Sequence, residues 1–448
     1  MSLTHTEGES NRSAARARWQ VSQDHGPSRA LLARDADAFL HQSLSSPCVL
    51  TIARAEGIWI EDLAGRRYMD FHGNSVHHIG YRHPRLVAAL KAQLDALTFS
   101  PRRFANEVAT ELAERLGALA PGDLGKVLFT TGGSDAIEVA IKIARAATGR
   151  FKTLSFWDAF HGAGFGAAAV GGEATFRSHI AGPLVPGAEH VAPFNCYRCA
   201  YGHAGPEGCA LACARMIDYV LGREGDVAAV IAEPMRAVPV VPPPGFWSAV
   251  RAACDRHGAL LIFDEIPTGL GKTGRDFAFQ HDGVVPDIVT LGKALGGAML
   301  PIAAVVARRD LDVCGDFAIG HYTHEKNPLT ARAALTTLDI LRDEGLADRA
   351  ADLGRTAMDR LRDTLAQSPH VGDIRGRGLM FGVEIVSDRD SRTPDPARAE
   401  AIYYRCLDAG LSFKISAGSV LTLSPPLVIA ADDLDRALGI VEEAIHAA

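Results

Sequence analysis

The chain has 448 residues, 47% hydrophobic and 22% charged, enough for a large buried core over two or three domains. With 46 basic against 53 acidic side chains the net charge is −7, which argues against an electrostatic nucleic-acid binder, and the ordinary apolar content argues against extended disorder. The longest clean apolar run, 296–307, contains Pro301 and is too short to span a bilayer, and the opening MSLTHTEGESNRSAARARW lacks the apolar core of a secretory leader. A cytoplasmic protein is expected, with residues 1–30 a flexible arm.

In chain order, GIWIEDLAGRRYMDF (57–71) alternates apolar and polar residues around Ala64-Gly65 and predicts a hairpin. Residues 31–71 are expected to pack with a small C-terminal domain. Short doubly apolar runs follow: VLFTT (127–131), TLSF (153–156), AAVIA (228–232), ALLIFD (259–264), IVTLG (288–292) and IAAVVA (302–307). Runs without polar alternation are what strands buried on both faces of a parallel sheet look like. Between them, 134–148 and 246–257 carry helical stripes, Ile137, Ala140, Ile141 and Ala144 in the first, Val250 and Ala253 in the second. Alternating strand and helix predicts an α/β large domain with a mostly parallel central sheet over 72–327, its ligands at the carboxyl ends of the strands. The loop VPVVPPPGF (238–246) is stiff, and no repeats are evident. Beyond, 328–366 reads as helix, 374–386 as a turn and strand, and 396–409 and the stretch from Asp432 as helices, together a smaller α+β domain over 328–448.

Chemistry concentrates at the strand ends. In LGKALGG (291–297) Lys293 directly follows a buried strand, and Asp264 ends the strand before it. A desolvated lysine with a lowered pKa suits Schiff-base chemistry, and a carboxylate fixed against a ring nitrogen is what pyridoxal phosphate needs to act as an electron sink. VLFTT runs into GGSDAIEVAIKIAR (132–145), so Gly133 and Ser134 open a helix whose N–H groups and dipole make an anion site. FHG (160–162) offers Phe160 to lie on an aromatic ring. Each feature alone has an ordinary structural reading; the four in order are far more specific.

These runs, with GYRHP (80–84), IAEP (231–234), DEIPTGLGKTG (264–274), PDIVTLGKALGG (286–297), THEKNPL (323–329), GRGLMFGVE (376–384) and SPPL (424–427), resemble the class III aminotransferases of the fold-type I pyridoxal-phosphate enzymes over about 55–447. The resemblance implies pyridoxal 5′-phosphate as cofactor, with Lys293 forming the internal aldimine and later acting as the base that generates a carbanion. Asp264 would hold the pyridinium, its pKa lowered by that neighbour. Gly133 and Ser134 would bind the phosphate, Phe160 and Ile266 would cover the ring faces, and His161 and Glu233 would join the cofactor set. Thr323 would reach the phosphate of a neighbouring subunit, which implies a homodimer with shared sites; dimer or tetramer is left open.

Departures bear on the substrate. Where the family often has a carboxylate-binding arginine, VLTLSPPL (420–427) has Thr422, which cannot make a bidentate charged grip. Arg236 and Pro267 each stand where glutamine is common, and Arg102, Arg103, His324, Lys326 and Lys414 are further cations, most of them expected to be solvated. Val76, Arg236 and Thr422 are the candidate substrate contacts. A missing carboxylate clamp with extra cations suggests a phosphonate or phosphate. FHGNSVHHIGYRHP (71–84) and FNCYRCAYG (194–202) resemble the 1-hydroxy-2-aminoethylphosphonate ammonia-lyases. The main expectation is therefore an aminotransferase-type enzyme acting on a small primary amine or amino acid, and the alternative is an ammonia-lyase eliminating from a β-hydroxy amine.

Two further features of the sequence point to readings of other kinds. Cys196, Cys199, Cys209 and Cys213 form a C-x2-C and C-x3-C pair that could hold structural zinc, with His203 a substitute ligand, although buried free thiols account for them as well. No metal is expected in the catalytic site, and His77, His78 and His83 are expected to pack rather than ligate. A catalytically retired binding protein would have no physical need to keep the Lys293–Asp264 pair.

Overall fold

A computed structural model describes residues 12–23, 26–177 and 181–448. The chain divides into two compact units, residues up to His83 with Asp348–Ala448, and Pro84–Ala347.

The second unit is built on a seven-stranded sheet in the order Leu124–Thr130, Ala303–Arg308, Ile288–Leu291, Leu260–Asp264, Val227–Ala232, Lys152–Phe156 and Ala188–Val191. Ala303–Arg308 runs antiparallel to both of its neighbours, and the remaining pairs are parallel. The mostly parallel sheet expected from the apolar runs is therefore present, each run within a residue or three of its strand. The sequence reading did not single out Ala188–Val191, a half-buried edge strand, AEHV, too short and polar to register as an apolar run.

Both sheet faces are covered, which explains the lack of alternation. Val230, Leu261, Phe263, Val289, Leu291, Ala304 and Val306 share one core with the helix Phe246–His257. Ala229, Ile231, Ile262, Ile288, Ala303 and Val305 share the other with the helix Gly133–Thr148. That helix buries Ala136, Ile137, Val139, Ala140, Ile141, Ile143 and Ala144, a stripe wider than the one read from sequence. Burying such a face contributes roughly 25 cal/mol per Å² of apolar surface.

The domain limits differ from the expected ones. Residues 328–347 fall in the large unit because the helix Pro328–Asp343 packs on the helices Pro84–Ala96 and Glu107–Leu119. Residues 72–83 fall in the small one. Nor is the described part of the N-terminal arm loose. The helix Ala14–Ser22 buries Trp19, whose Nε1 donates to Asp408 Oδ1 at 2.9 Å and whose ring stacks on Tyr404 at 5.4 Å. Residues 1–11 lie outside the described residues.

In the small unit the hairpin pairs Trp59–Glu61 with Arg67–Asp70, its turn held by Ala64 and Arg66 N–H groups donating to Asp62 Oδ1. Leu411–Ser412 adds to it in parallel. A second, antiparallel sheet orders Val371–Arg377, Met380–Ile385, Val420–Leu423 and Lys414–Ser416. The turn and strand expected at 374–386 is thus a pair of strands, with Gly378 at φ +55° between them. The helices Pro396–Asp408 and Ala431–His446 complete the unit.

One buried acid sets a pH dependence. Glu265 is enclosed; burial pushes its carboxyl from 4.5 up to about 7, against hydrogen bonds from Thr268 Oγ1 at 2.7 Å and Phe279 N at 2.9 Å. The folded state therefore holds a proton that the unfolded chain releases between pH 4.5 and 7, so stability falls as pH rises through that window. Glu265→Gln should flatten this slope, an effect on the order of 3 kcal/mol, checked by thermal melts of both proteins across pH 4.5–7.5.

Candidate functional site

The carboxyl ends of the parallel strands deliver the candidate residues of the large unit to one edge of the sheet. Thr130 leads into Gly132-Gly133-Ser134, Phe156 into Phe160-His161-Gly162, and Ala232 into Glu233. Asp264 ends its strand opposite Thr290 in the ladder, and Lys293 follows Thr290 by three residues on the neighbouring strand's exit. A carboxylate and an amine thus come off adjacent parallel strands.

Asp264 is buried and well held. Its Oδ2 accepts from His161 Nδ1 at 2.8 Å, and its Oδ1 accepts from Ile266 N at 3.1 Å and Thr290 Oγ1 at 3.3 Å. A carboxylate accepts only, so Nδ1 carries the proton and Nε2 of a neutral ring is an acceptor. That Nε2 is buried without a hydrogen-bond partner among the described residues. An orphaned buried acceptor is unfavourable by about 1–3 kcal/mol and marks a place where a donor belongs.

Lys293 is partly buried at the head of a short turn, Lys293–Gly296. Its φ of +45° lies in the left-handed region, a strained conformation for a lysine and of the kind that clusters at functional sites. Gly292 before it leaves room for Ile266, since a Cβ there would meet Ile266 Cγ2 at 3.4 Å.

The helix Gly133–Thr148 starts at Gly132 with no side-chain cap, which leaves its first N–H groups for an anion. Ser134 Oγ accepts from Ala163 N at 3.2 Å, tying this turn to the segment after Phe160. A Cβ at Gly133 would lie 2.8 Å from Ile266 Cδ1, and one at Gly162, where φ is +131°, would lie 2.3 Å from Ser134 Oγ. Gly162→Ala should therefore push Ser134 out of the turn, with strain of about 1–3 kcal/mol. The expected result is a rise of about tenfold or more in the Kd for pyridoxal phosphate, read by fluorescence quenching; unchanged affinity would refute a phosphate site at the Gly133–Ser134 turn.

Phe160 is 37% exposed and leans on Phe176, ring centres 4.5 Å apart. Thr323 lies exposed in the turn that ends at Asn327, the N-cap of the helix Pro328–Asp343. Glu233 is buried, accepts from Ala237 N at 3.0 Å, and is pushed up by burial, with Arg236 opposing. Arg236 is buried beside it, Nε 3.7 Å from Glu233 Oε2. Val76 and Thr422 belong to the other unit: Val76 closes the turn after Gly73–Ser75, and buried Thr422 donates its Oγ1 to Ser416 Oγ at 2.9 Å. Of the spare cations, Arg102 contacts His321, His324 pairs with Asn327 at 3.0 Å, and Lys326 is exposed.

Cys196, Cys199, Cys209 and Cys213 are free thiols. Burial pushes Cys213 up to about 11 and raises Cys196, which disfavours the thiolates a metal needs. Among the described residues no group of three or more His, Cys, Asp or Glu is arranged to hold a metal ion, and no helix is long and apolar enough to cross a membrane. Sequence reasoning did not anticipate the His161–Asp264 bond or the approach of Glu173 to Arg236 at 3.6 Å. Neither spacing in the chain signals these long-range meetings.

A mostly parallel sheet with an acid at one strand end and a lysine past the next is the architecture of the fold-type I pyridoxal-phosphate enzymes. The model of the family "Aminotransferase class-III" matches residues 41–445, and the chain is an enzyme of that family. It is 42% identical to an (R)-1-hydroxy-2-aminoethylphosphonate ammonia-lyase of Vibrio splendidus, over 99% of this chain and 96% of that protein. It is 36% identical to an acetylornithine aminotransferase of Methanopyrus kandleri, over 91% and 97%. Among solved structures it resembles a PLP-bound amine transaminase from an uncultivated Pseudomonas species, with a TM-score of 0.86 and 32% identity over 92% of this chain and 98% of that one. The family and this neighbour imply pyridoxal phosphate, and the residues present fit it: an uncapped helix start, glycines that a Cβ would fill, a carboxylate with acceptor capacity left, and an unpartnered His161 Nε2.

Proposed function

We propose that this enzyme is a pyridoxal-phosphate-dependent ammonia-lyase acting on a primary amine with a hydroxyl on the adjacent carbon and a phosphonate beyond it. The observation that carries the reading is the 42% identity over 99% of the chain to an enzyme of that description. Thr422 supports it, because its hydroxyl is already given to Ser416 and it offers no clamp for an amino acid carboxylate.

When bound, the coenzyme supplies a sink for the electron pair left on the amine-bearing carbon. Lys293 takes the proton from that carbon. Asp264 keeps the ring nitrogen protonated, and His161 holds Asp264 in place. Gly133, Ser134 and Thr323 would hold the coenzyme phosphate, and Phe160, Ile266 and Glu233 would complete the set that holds the ring. The hydroxyl leaves the adjacent carbon as water, and water is regained as ammonia and an aldehyde are released. Nothing is oxidised or reduced overall, so no keto acid is needed. In the same reading the enzyme works as a cytoplasmic homodimer, each Thr323 reaching across to the partner's coenzyme phosphate.

The test is an ammonia assay on the holoenzyme with 1-hydroxy-2-aminoethylphosphonate and no amino acceptor. Stoichiometric ammonia and aldehyde are expected. Strict dependence on a keto acid would make the enzyme a transaminase, as its relationship to the acetylornithine enzyme allows.

A further inference from the structure

We infer that the Arg236 guanidinium receives the anionic head of the substrate, a phosphonate dianion, and sets the enzyme's preference for it; the inference rests on the lyase reading above. Arg236 lies four residues past the strand Val227–Ala232, its backbone fixed by its N–H donating to Val240 O at 3.1 Å. The side chain is only 9% exposed, yet it is loosely held. Its NH2 is 3.6 Å from Glu173 Oε1 and its Nε 3.7 Å from Glu233 Oε2, both beyond hydrogen-bonding distance, and Nε has no partner among the described residues. Arg375 reaches Glu384 at 2.6 Å and Arg251 reaches Asp287 at 2.8 Å, so buried arginines in this chain do close tight pairs where the pair is structural. A buried guanidinium with unspent donors is unfavourable unless an acceptor arrives.

Its position is beside the coenzyme residues. Glu173 N donates to Ala159 O at 3.2 Å, next to Phe160, and Glu233 lies within electrostatic reach of Asp264. The guanidinium therefore lies between Glu173, whose backbone is hydrogen-bonded beside Phe160, and Glu233.

Two carboxylates face the same cation, and a dianion must be reconciled with them. Glu173 is 31% exposed at its side chain, so its charge is partly screened by solvent. Glu233 is fully enclosed, and burial pushes its carboxyl up against the opposing charge of Arg236, toward the acid form that can donate to a phosphonate oxygen. A planar fork plus one acid O–H matches three tetrahedral oxygens better than it matches the two of a carboxylate.

The experiment titrates the visible absorbance of the coenzyme-loaded wild type, Arg236→Gln and Arg236→Lys with two amines of one backbone, 1-hydroxy-2-aminoethylphosphonate and 1-amino-2-propanol, which carries a methyl in place of the phosphonate. The wild type should prefer the phosphonate. Arg236→Gln should weaken phosphonate binding about 10- to 100-fold and leave 1-amino-2-propanol and the coenzyme spectrum unchanged. Arg236→Lys keeps the charge without the fork and should show a smaller loss confined to the phosphonate, and it serves if the glutamine variant fails to fold. Equal losses for both amines, no loss for the phosphonate, or a wild type without preference would each overturn the inference. Selective phosphonate binding without ammonia release would instead sink the lyase reading and leave Arg236 in its role.

Discussion

Lys293→Ala is expected to give a folded protein that still takes up pyridoxal phosphate but forms no bond to it, with turnover lowered by at least about 10³-fold. A positioned general base alone contributes typically ~10²–10⁴ in rate, and in the proposed reading the same amine would be the covalent tether. Lys293 follows the extended Gly292 and is itself held at φ +45°, while Lys272 on the preceding loop is completely buried. Borohydride reduction followed by peptide mapping should place the coenzyme mass on residue 293 in the wild type and nowhere in the variant. A variant with wild-type turnover would end the assignment.

Asp264→Asn should rank second, lowering kcat about 10²–10³-fold while coenzyme retention changes little. The carboxylate uses three acceptor positions on His161, Ile266 and Thr290, out of about four, so one remains for a ring N–H. Asparagine keeps the shape and an acceptor for Ile266 and Thr290. It loses the charge that holds a proton on the ring, and it sets an NH2 against His161 Nδ1. The check is a paired measurement of kcat and of the coenzyme's absorbance against pH; the ring nitrogen should deprotonate at lower pH in the variant. Unchanged kcat would refute the role.

Much of this was legible in the sequence, for a definable reason. Strands covered on both faces must be apolar throughout, so the runs around Val230, Phe263 and Val289 announced the sheet, and the polar residues that end them announced the site. Asp264 and Lys293 stand out because each interrupts an apolar run. Less legible was whatever depends on meetings far apart in the chain. Trp19 looked like part of a loose arm because its partners, Tyr404 and Asp408, lie nearly 400 residues on. Residues 328–347 read as the start of a new domain because a helical stripe does not say which unit it faces. Arg236 was visible only as a departure from a family pattern; its burial between Glu173 and Glu233 needed the fold.

The antiparallel insertion of Ala303–Arg308 beside Leu124–Thr130 has a consequence for synthesis. The strand that feeds the Gly133–Ser134 turn emerges from the ribosome early, yet its ladder partner follows some 180 residues later, roughly ten to thirty seconds at ordinary elongation speed. Met69 and Asp70 wait longer still, for Leu411 and Ser412. Nascent chains halted before residue 303 should thus present an unpaired apolar edge to holdase chaperones and be cut readily by protease, and release of the finished polypeptide should abolish both.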